Sequence, residues 1–189
     1  MAIKTFTTGE VLTAADTNTY LANSGLVYVS TTTFTATSTR VALPQNTFSA
    51  TFDSYRILFR TTAQSAAGAV TYSLVFRSAG TDSTVGMFNT FSSGIDRAGT
   101  AITRTGTDTV TTPLLDSFST AFPMMMFTLD VHAPMLAQAK YITGHSSNIL
   151  KGTSVNCTAN STSTFDSLSF LIDTGNVTGT VTVYGYRKA

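Results

Sequence analysis

The chain is short of charge. Asp, Glu, Lys and Arg make up 11% of its 189 residues and the net charge is +1, where a globular protein usually carries about a quarter. No field of one sign exists to gather nucleic acid or an acidic membrane, so neither is expected as a partner. The only cysteine is Cys157, which allows no internal disulfide and no cysteine-based metal site. A fold that rests on packing alone suits a reducing cytosol. Cys157 stands in an alternating segment and reads as a small buried hydrophobe. No apolar run reaches the roughly twenty residues of a membrane helix. Met1-Ala2-Ile3-Lys4 leads into polar residues, not into a signal-peptide core. Neither membrane insertion nor export is expected.

Catalytic groups are equally sparse. Glu10 is the sole glutamate, and Asp53, Asp82, Asp96, Asp108, Asp116, Asp130, Asp166 and Asp173 are scattered singly. Aspartate beside Ser, Thr or Gly is the usual turn residue. Convergence of two distant aspartates, as glycosidases use, is the one catalytic route this pattern leaves. His132 and His145 are thirteen positions apart, with no carboxylate or cysteine in ligand spacing. No Gly-x-Ser-x-Gly elbow and no Walker loop occurs. The expectation is a protein with no catalytic residue, no cofactor and no metal, and hence not an enzyme. Arg56, Arg60 and Arg77 could share a sheet face, but without interleaved aromatics they make no nucleic-acid stripe. Their stems read as covering apolar surface. Tryptophan, a frequent platform for sugars, is absent.

What is present is threonine and serine, roughly a third of the chain, and threonine suits a pleated, half-exposed surface. After Gly25 the chain reads as strand and turn. Leu26 to Ala36 and Arg40 to Leu43 are predicted strands. Tyr55 to Thr61 is the cleanest, with Tyr55, Ile57 and Phe59 on one face and Arg56, Leu58 and Arg60 on the other. Val70 to Phe76 follows with Tyr72 and Leu74 in phase, and the two are predicted to form a hairpin. From Ser78 to Thr112 the pattern weakens to short strands or a projecting loop, with strands at Met87–Phe91 and Ala101–Arg104. Pro113 to Pro123 reads as a connector. Met124 to His132 is a strand whose methionines suggest burial on both faces, or else a soft interface. Lys140–Gly144, Ser154–Thr158, Leu168–Ile172 and Thr180–Arg187 complete the set, with a turn at Asp173-Thr174-Gly175-Asn176. Thr51-Phe-Asp-Ser54 and Thr164-Phe-Asp-Ser167 echo one another, each ahead of a strand. Eight to ten short strands without alternating helices predict an all-β fold, an antiparallel, jelly-roll-like β-sandwich.

The head of the chain differs. Thr13 is a good N-cap, Asp16 stands three residues on, Ala14 and Ala15 favour helix, and Gly25 suits a stop. These residues predict a short N-terminal helix, too short to stand alone. The chain divides into an attachment segment, 1–25, and a β-sandwich domain, 26–189.

Phe6-Thr-x-Gly9-Glu10-Val11-Leu12-Thr13-Ala14-Ala15-Asp16-x-Asn18-x-Tyr20-Leu21 resembles the N-terminal segment of many bacteriophage virion proteins, of the tail, fibre or minor structural kinds. Phe48-Ser-Ala-Thr-Phe52-Asp53-Ser54-Tyr55-Arg56-Ile57 and Gly179-Thr-Val-Thr-Val-Tyr184-Gly185-Tyr186-Arg187 are similar to an internal piece and the last strand of the same proteins. The resemblance implies a virion structural protein, made in the host cytoplasm and attached to the particle through its head. Its partners would be capsid, portal or tail proteins and other copies of itself, a trimer being the favoured state. The β domain would serve as capsid decoration, collar or short tail component. A receptor- or glycan-binding fibre module is the alternative.

Overall fold

The structure, a computed structural model, describes residues 7–11, 13, 25–66, 70–93, 104–110, 112–118, 124–147 and 152–187, with the backbone alone at 88–93, 104–110, 114 and 116–118. Every regular element among them is a strand: β1 (Leu26–Ala42), β2 (Ser54–Gln64), β3 (Val70–Ser78), β4 (Thr81–Asp82), β5 (Met87–Ser93), β6 (Arg104–Val110), β7 (Leu114–Phe118), β8 (Met125–His132), β9 (Lys140–Ser147), β10 (Gly152–Ala159) and β11 (Ser167–Tyr186). The short helix expected after Thr13 lies outside the described residues. Thr7-Thr8-Gly9-Glu10 forms a closed turn. The Glu10 N–H donates to the Thr7 carbonyl at 3.0 Å, and Glu10 Oε2 accepts from the Thr7 N–H at 3.1 Å. Gly9 has φ +90°, which the third position of a type II turn requires.

The all-β, antiparallel expectation is met. The strands join in one curled sheet, a half-barrel, in the order β4-β3-β11-β2-β8-β9-β10-β5-β6, with β1 also on β11 and β7 also on β3. β11 organises it. Its residues 167–172 pair with β3 and its residues 177–186 with β2, while β1 follows it along both halves. The hairpin expected between β2 and β3 does not form, because the two run on in the same direction along β11, β2 against residues 177–186 and β3 against residues 167–172. The turn expected at 173–176 is instead an irregularity inside one long strand, where β11 changes partners. Gly175 has φ +73° there, and a Cβ on it would stand 2.7 Å from that of Ala66. Backbone strain and lack of room both call for glycine.

β1 also joins two expected strands into one, with register shifts between Tyr28 and Ser30, Phe34 and Thr37, and Ser38 and Arg40. Among the described residues β1 pairs only with β11, so its other side is a sheet edge. Such bulges twist an edge away from stray pairing. In the middle of the chain, β6 lies later than the strand expected at Ala101–Arg104, and the expected connector holds β7. The methionine run alternates: Met125 is buried while Met124 and Met126 are exposed. β8 is therefore half-buried, and burial on both faces is overturned, because Met126 stands beside Arg60 on the outer face.

Inward residues pack across the curl. Phe59 on β2 touches Phe34, Tyr72, Phe127 and Phe170, and Tyr72 on β3 meets Phe127 on β8 with ring centroids 5.5 Å apart. Aromatic contact thus links β3 to β2 and β8 across the curl of the sheet. The Thr-Phe-Asp-Ser echoes do similar work. Each Asp carbonyl accepts a bond that fastens a loop, Asp53 from the Ala133 N–H and Asp166 from the Phe48 N–H, both at 2.8 Å. Each Phe anchors its turn: Phe165 stacks on Phe76 at 4.7 Å, and Phe52 sits edge-on to Tyr55 at 5.7 Å.

Candidate functional site: a polar hollow on the outer face

With the apolar alternates turned inward, the outer face of β11, β2, β8, β9 and β10 carries the polar set. Directly opposed residues share a face, so the register draws rows across the strands. One row reads Tyr28, Tyr184, Arg56, Asp130, Thr143, Asn156. The next reads Thr182, Leu58, Thr128, His145, Ser154. On the other side of the first row lie Tyr186, Ser54, His132 and Tyr141.

Between these rows lies a hollow of about 350 Å³, bounded by Arg56, Thr128, Asp130, Thr143, Gly144, His145, Ser154 and Asn156. Its fixed part is an ion pair. Arg56 donates Nε to Asp130 Oδ1 at 2.9 Å and Nη2 to Oδ2 at 2.8 Å, and the Tyr186 hydroxyl donates to Oδ1 at 2.6 Å. The guanidinium also lies 5.5 Å over the Tyr186 ring. Burial works to raise the Asp130 pKa, but the hydrogen bonds from Arg56 and Tyr186, with the charge of Arg56, outweigh it and hold the carboxyl below its usual range. Burial, and then the bond to Asp130, push the Tyr186 phenol up to about 12. A carboxyl with a depressed folded pKa stabilises the fold above its unfolded value, about 3.9, and that contribution disappears as pH falls through the folded pKa. Wild-type stability to urea is therefore expected to fall on acidification below about pH 4. Asp130→Asn should flatten that decline and cost about 1 kcal/mol at neutral pH, a modest sum because both partners are partly exposed. An equally steep acid decline in the variant would remove Asp130 as its source.

The histidines share this face. His132 Nδ1 lies 3.1 Å from Ser54 Oγ and His145 Nδ1 3.2 Å from Ser154 Oγ. They stand on adjacent strands two pleat repeats apart, about 13 Å by strand rise, so they do not share a ligand. Among the described residues no three His, Cys, Asp or Glu come together as a metal would need. Arg60 joins Arg56 on the face, but Arg77 does not. It lies on β3 against Asp82, which also pairs with Arg40, so the three arginines do not share one face. Asp166 accepts from the Ala79 N–H and from Ser167, and Asp173 from the Thr71 N–H. The side chains of Asp96, Asp108 and Asp116 lie outside the described residues. Cys157 is buried, and burial raises its thiol to about 12, which makes it an unreactive core residue.

Sequence reasoning weighs Arg56 with Arg60 and Arg77, and His145 with His132, and gives Thr143 and Tyr141 only as strand residues. The outward phase of Arg56 is legible from the alternation of its strand, but not which strands are its neighbours. No protein-family model, curated protein or solved structure matches the chain.

Proposed function

We propose that this chain is a non-enzymatic structural protein of a bacteriophage virion, attached through residues 1–25 and displaying its β domain as a capsid decoration, collar or short tail component. The observation that carries this reading is where the phage-like segments meet. Leu26, the first strand residue after the head, opposes Tyr186, and Val27 opposes Gly185. Gly185 and Tyr186 in turn oppose Tyr55 and Ser54. Phe48 packs on Tyr55 at 4.7 Å, and the Tyr55 hydroxyl both accepts from the Ser49 N–H at 2.6 Å and donates to its carbonyl at 2.8 Å. Pieces far apart in the chain thus build one corner of the molecule, the corner from which the head leaves. A hollow of about 430 Å³ bounded by Val27, Thr51, Phe52 and Arg187 opens there, beside the point of attachment. We read the curled sheet, linked across its curl by aromatic contacts, as a jelly-roll-like sandwich, and the displayed unit as a homo-oligomer, a trimer by preference.

The test is a cryo-EM map of the phage particle whose genome encodes the chain, with mass spectrometry of the purified particle. Density on the capsid lattice supports decoration, and density at the portal or tail supports a connector or tail component. A purified particle that lacks the chain overturns the proposal.

A further inference from the structure

We infer that the hollow on the outer face is a binding site for a neutral saccharide. Its lining supplies both donors and acceptors at short intervals: the hydroxyls of Thr128, Thr143 and Ser154, the amide of Asn156, the ring of His145 and the carboxylate of Asp130. Each sugar hydroxyl is itself donor and acceptor, so a mixed set suits it better than a set of one kind. The only full charges in the lining, Arg56 and Asp130, neutralise each other in a bidentate pair. An anionic ligand would meet the carboxylate and a cationic one the guanidinium. A neutral polyhydroxylated ligand meets neither penalty.

The rim supplies what the floor lacks. Tyr141 is 49% exposed and lies two residues from Thr143 along β9, on the same face, about 7 Å away by strand rise. An exposed tyrosine ring has an apolar face for the C–H side of a pyranose and a polar tip that stays wet. Tyr28, 60% exposed, stands edge-on to Tyr184 at 6.2 Å at the far end of the row that holds Arg56, Asp130, Thr143 and Asn156. A second protein is a poorer occupant. The core of a protein interface is apolar and poor in charge, whereas this floor holds hydroxyls and a satisfied ion pair. About 350 Å³ also lies at the small end of ligand sites, about 300–1,000 Å³, which suits one or two sugar rings. The inference concerns the isolated chain and stands or falls apart from its place in a particle.

The experiment uses the purified full chain on an array of neutral, sialylated and phosphorylated glycans, followed by NMR titration with the best neutral binder. Binding to neutral glycans is expected, with saturable shifts at Thr143, His145 and Asn156. Tyr141→Ala and Asn156→Ala alter exposed side chains and should leave the fold intact by circular dichroism. Each is expected to weaken binding about tenfold. Retention of no neutral glycan, retention of acidic glycans alone, or affinity unchanged in both variants would overturn the assignment.

Discussion

Phe59→Ala is expected to destabilise the protein by about 3–5 kcal/mol, the usual cost of emptying a fully buried aromatic site. Phe59 is 0% exposed, and its ring is where four other strands meet β2. Phe34 of β1 stacks on it at 5.3 Å, Tyr72 of β3 stands at 5.8 Å, Phe127 of β8 at 5.6 Å and Phe170 of β11 at 4.6 Å. Those neighbours are held by separate strand pairings and cannot all close on the space left behind. The loss is a large share of the roughly 5–15 kcal/mol a domain has in total. It should lower the Tm by about 10 °C for a chain of this size. Guanidinium unfolding followed by fluorescence measures it, with Phe59→Leu as the partial restoration. Arg60→Ala, one residue on and facing outward, should cost under about 0.5 kcal/mol. Equal losses at the two positions would mean that the aromatic cluster around Phe59 does not hold the sheet together.

Lys140→Met is expected to cost about 3 kcal/mol, although methionine nearly matches lysine in length and suits an interior better. Lys140 is 0% exposed, which is rare for lysine. It stands at the inward phase of β9, in line with Ile142. Its ammonium has three N–H donors, and three carbonyls accept them: Leu136 at 2.7 Å, Gln138 at 2.5 Å and Ser161 at 2.8 Å. Nζ also lies 5.7 Å over the Phe165 ring. Leu136 and Gln138 belong to the loop before β9, and Ser161 to the connector before β11. One cation therefore ties together two segments that have few backbone bonds of their own. Methionine would leave three carbonyls without this donor, and each buried orphan costs about 1–3 kcal/mol where water does not reach it. Burial pulls the ammonium below the usual lysine range. The unfolded chain then holds the proton more firmly, so this residue's contribution rises with pH through the window beneath lysine's ordinary value, about 10.4. Urea unfolding of both proteins at neutral and alkaline pH reads the two effects. A Lys140→Met variant as stable as the parent would make the three-carbonyl clasp irrelevant to stability.

Both residues illustrate what was legible beforehand. Phe59 was assigned its face from alternation with Tyr55 and Ile57, because a side-chain period of two is a local property of the strand. Lys140 was read only as the start of a strand, because its three acceptors come from two segments that no periodicity connects. The same division runs through the hollow. The outward phase of Arg56 was plain, yet its partner Asp130 is 74 positions away. Cys157 was correctly read as buried, since its neighbours alternate around it. The short loop between β2 and β3 favours a hairpin, and only long-range pairing overrules that preference, since both strands run on in one direction along β11.

The sequence by itself determined the class of structure: antiparallel strands of half-buried alternation, a threonine-rich outer face and a core without disulfides. Those properties depend on neighbours a few residues apart. Tertiary structure alone decided that β11 changes partners at Gly175, that Arg56, Asp130 and Tyr186 interlock, that residues 48–57 and 179–187 share a corner, and that a polar hollow opens beside Tyr141. Each of these depends on which strands lie side by side, a choice made by the packing of the whole aromatic core.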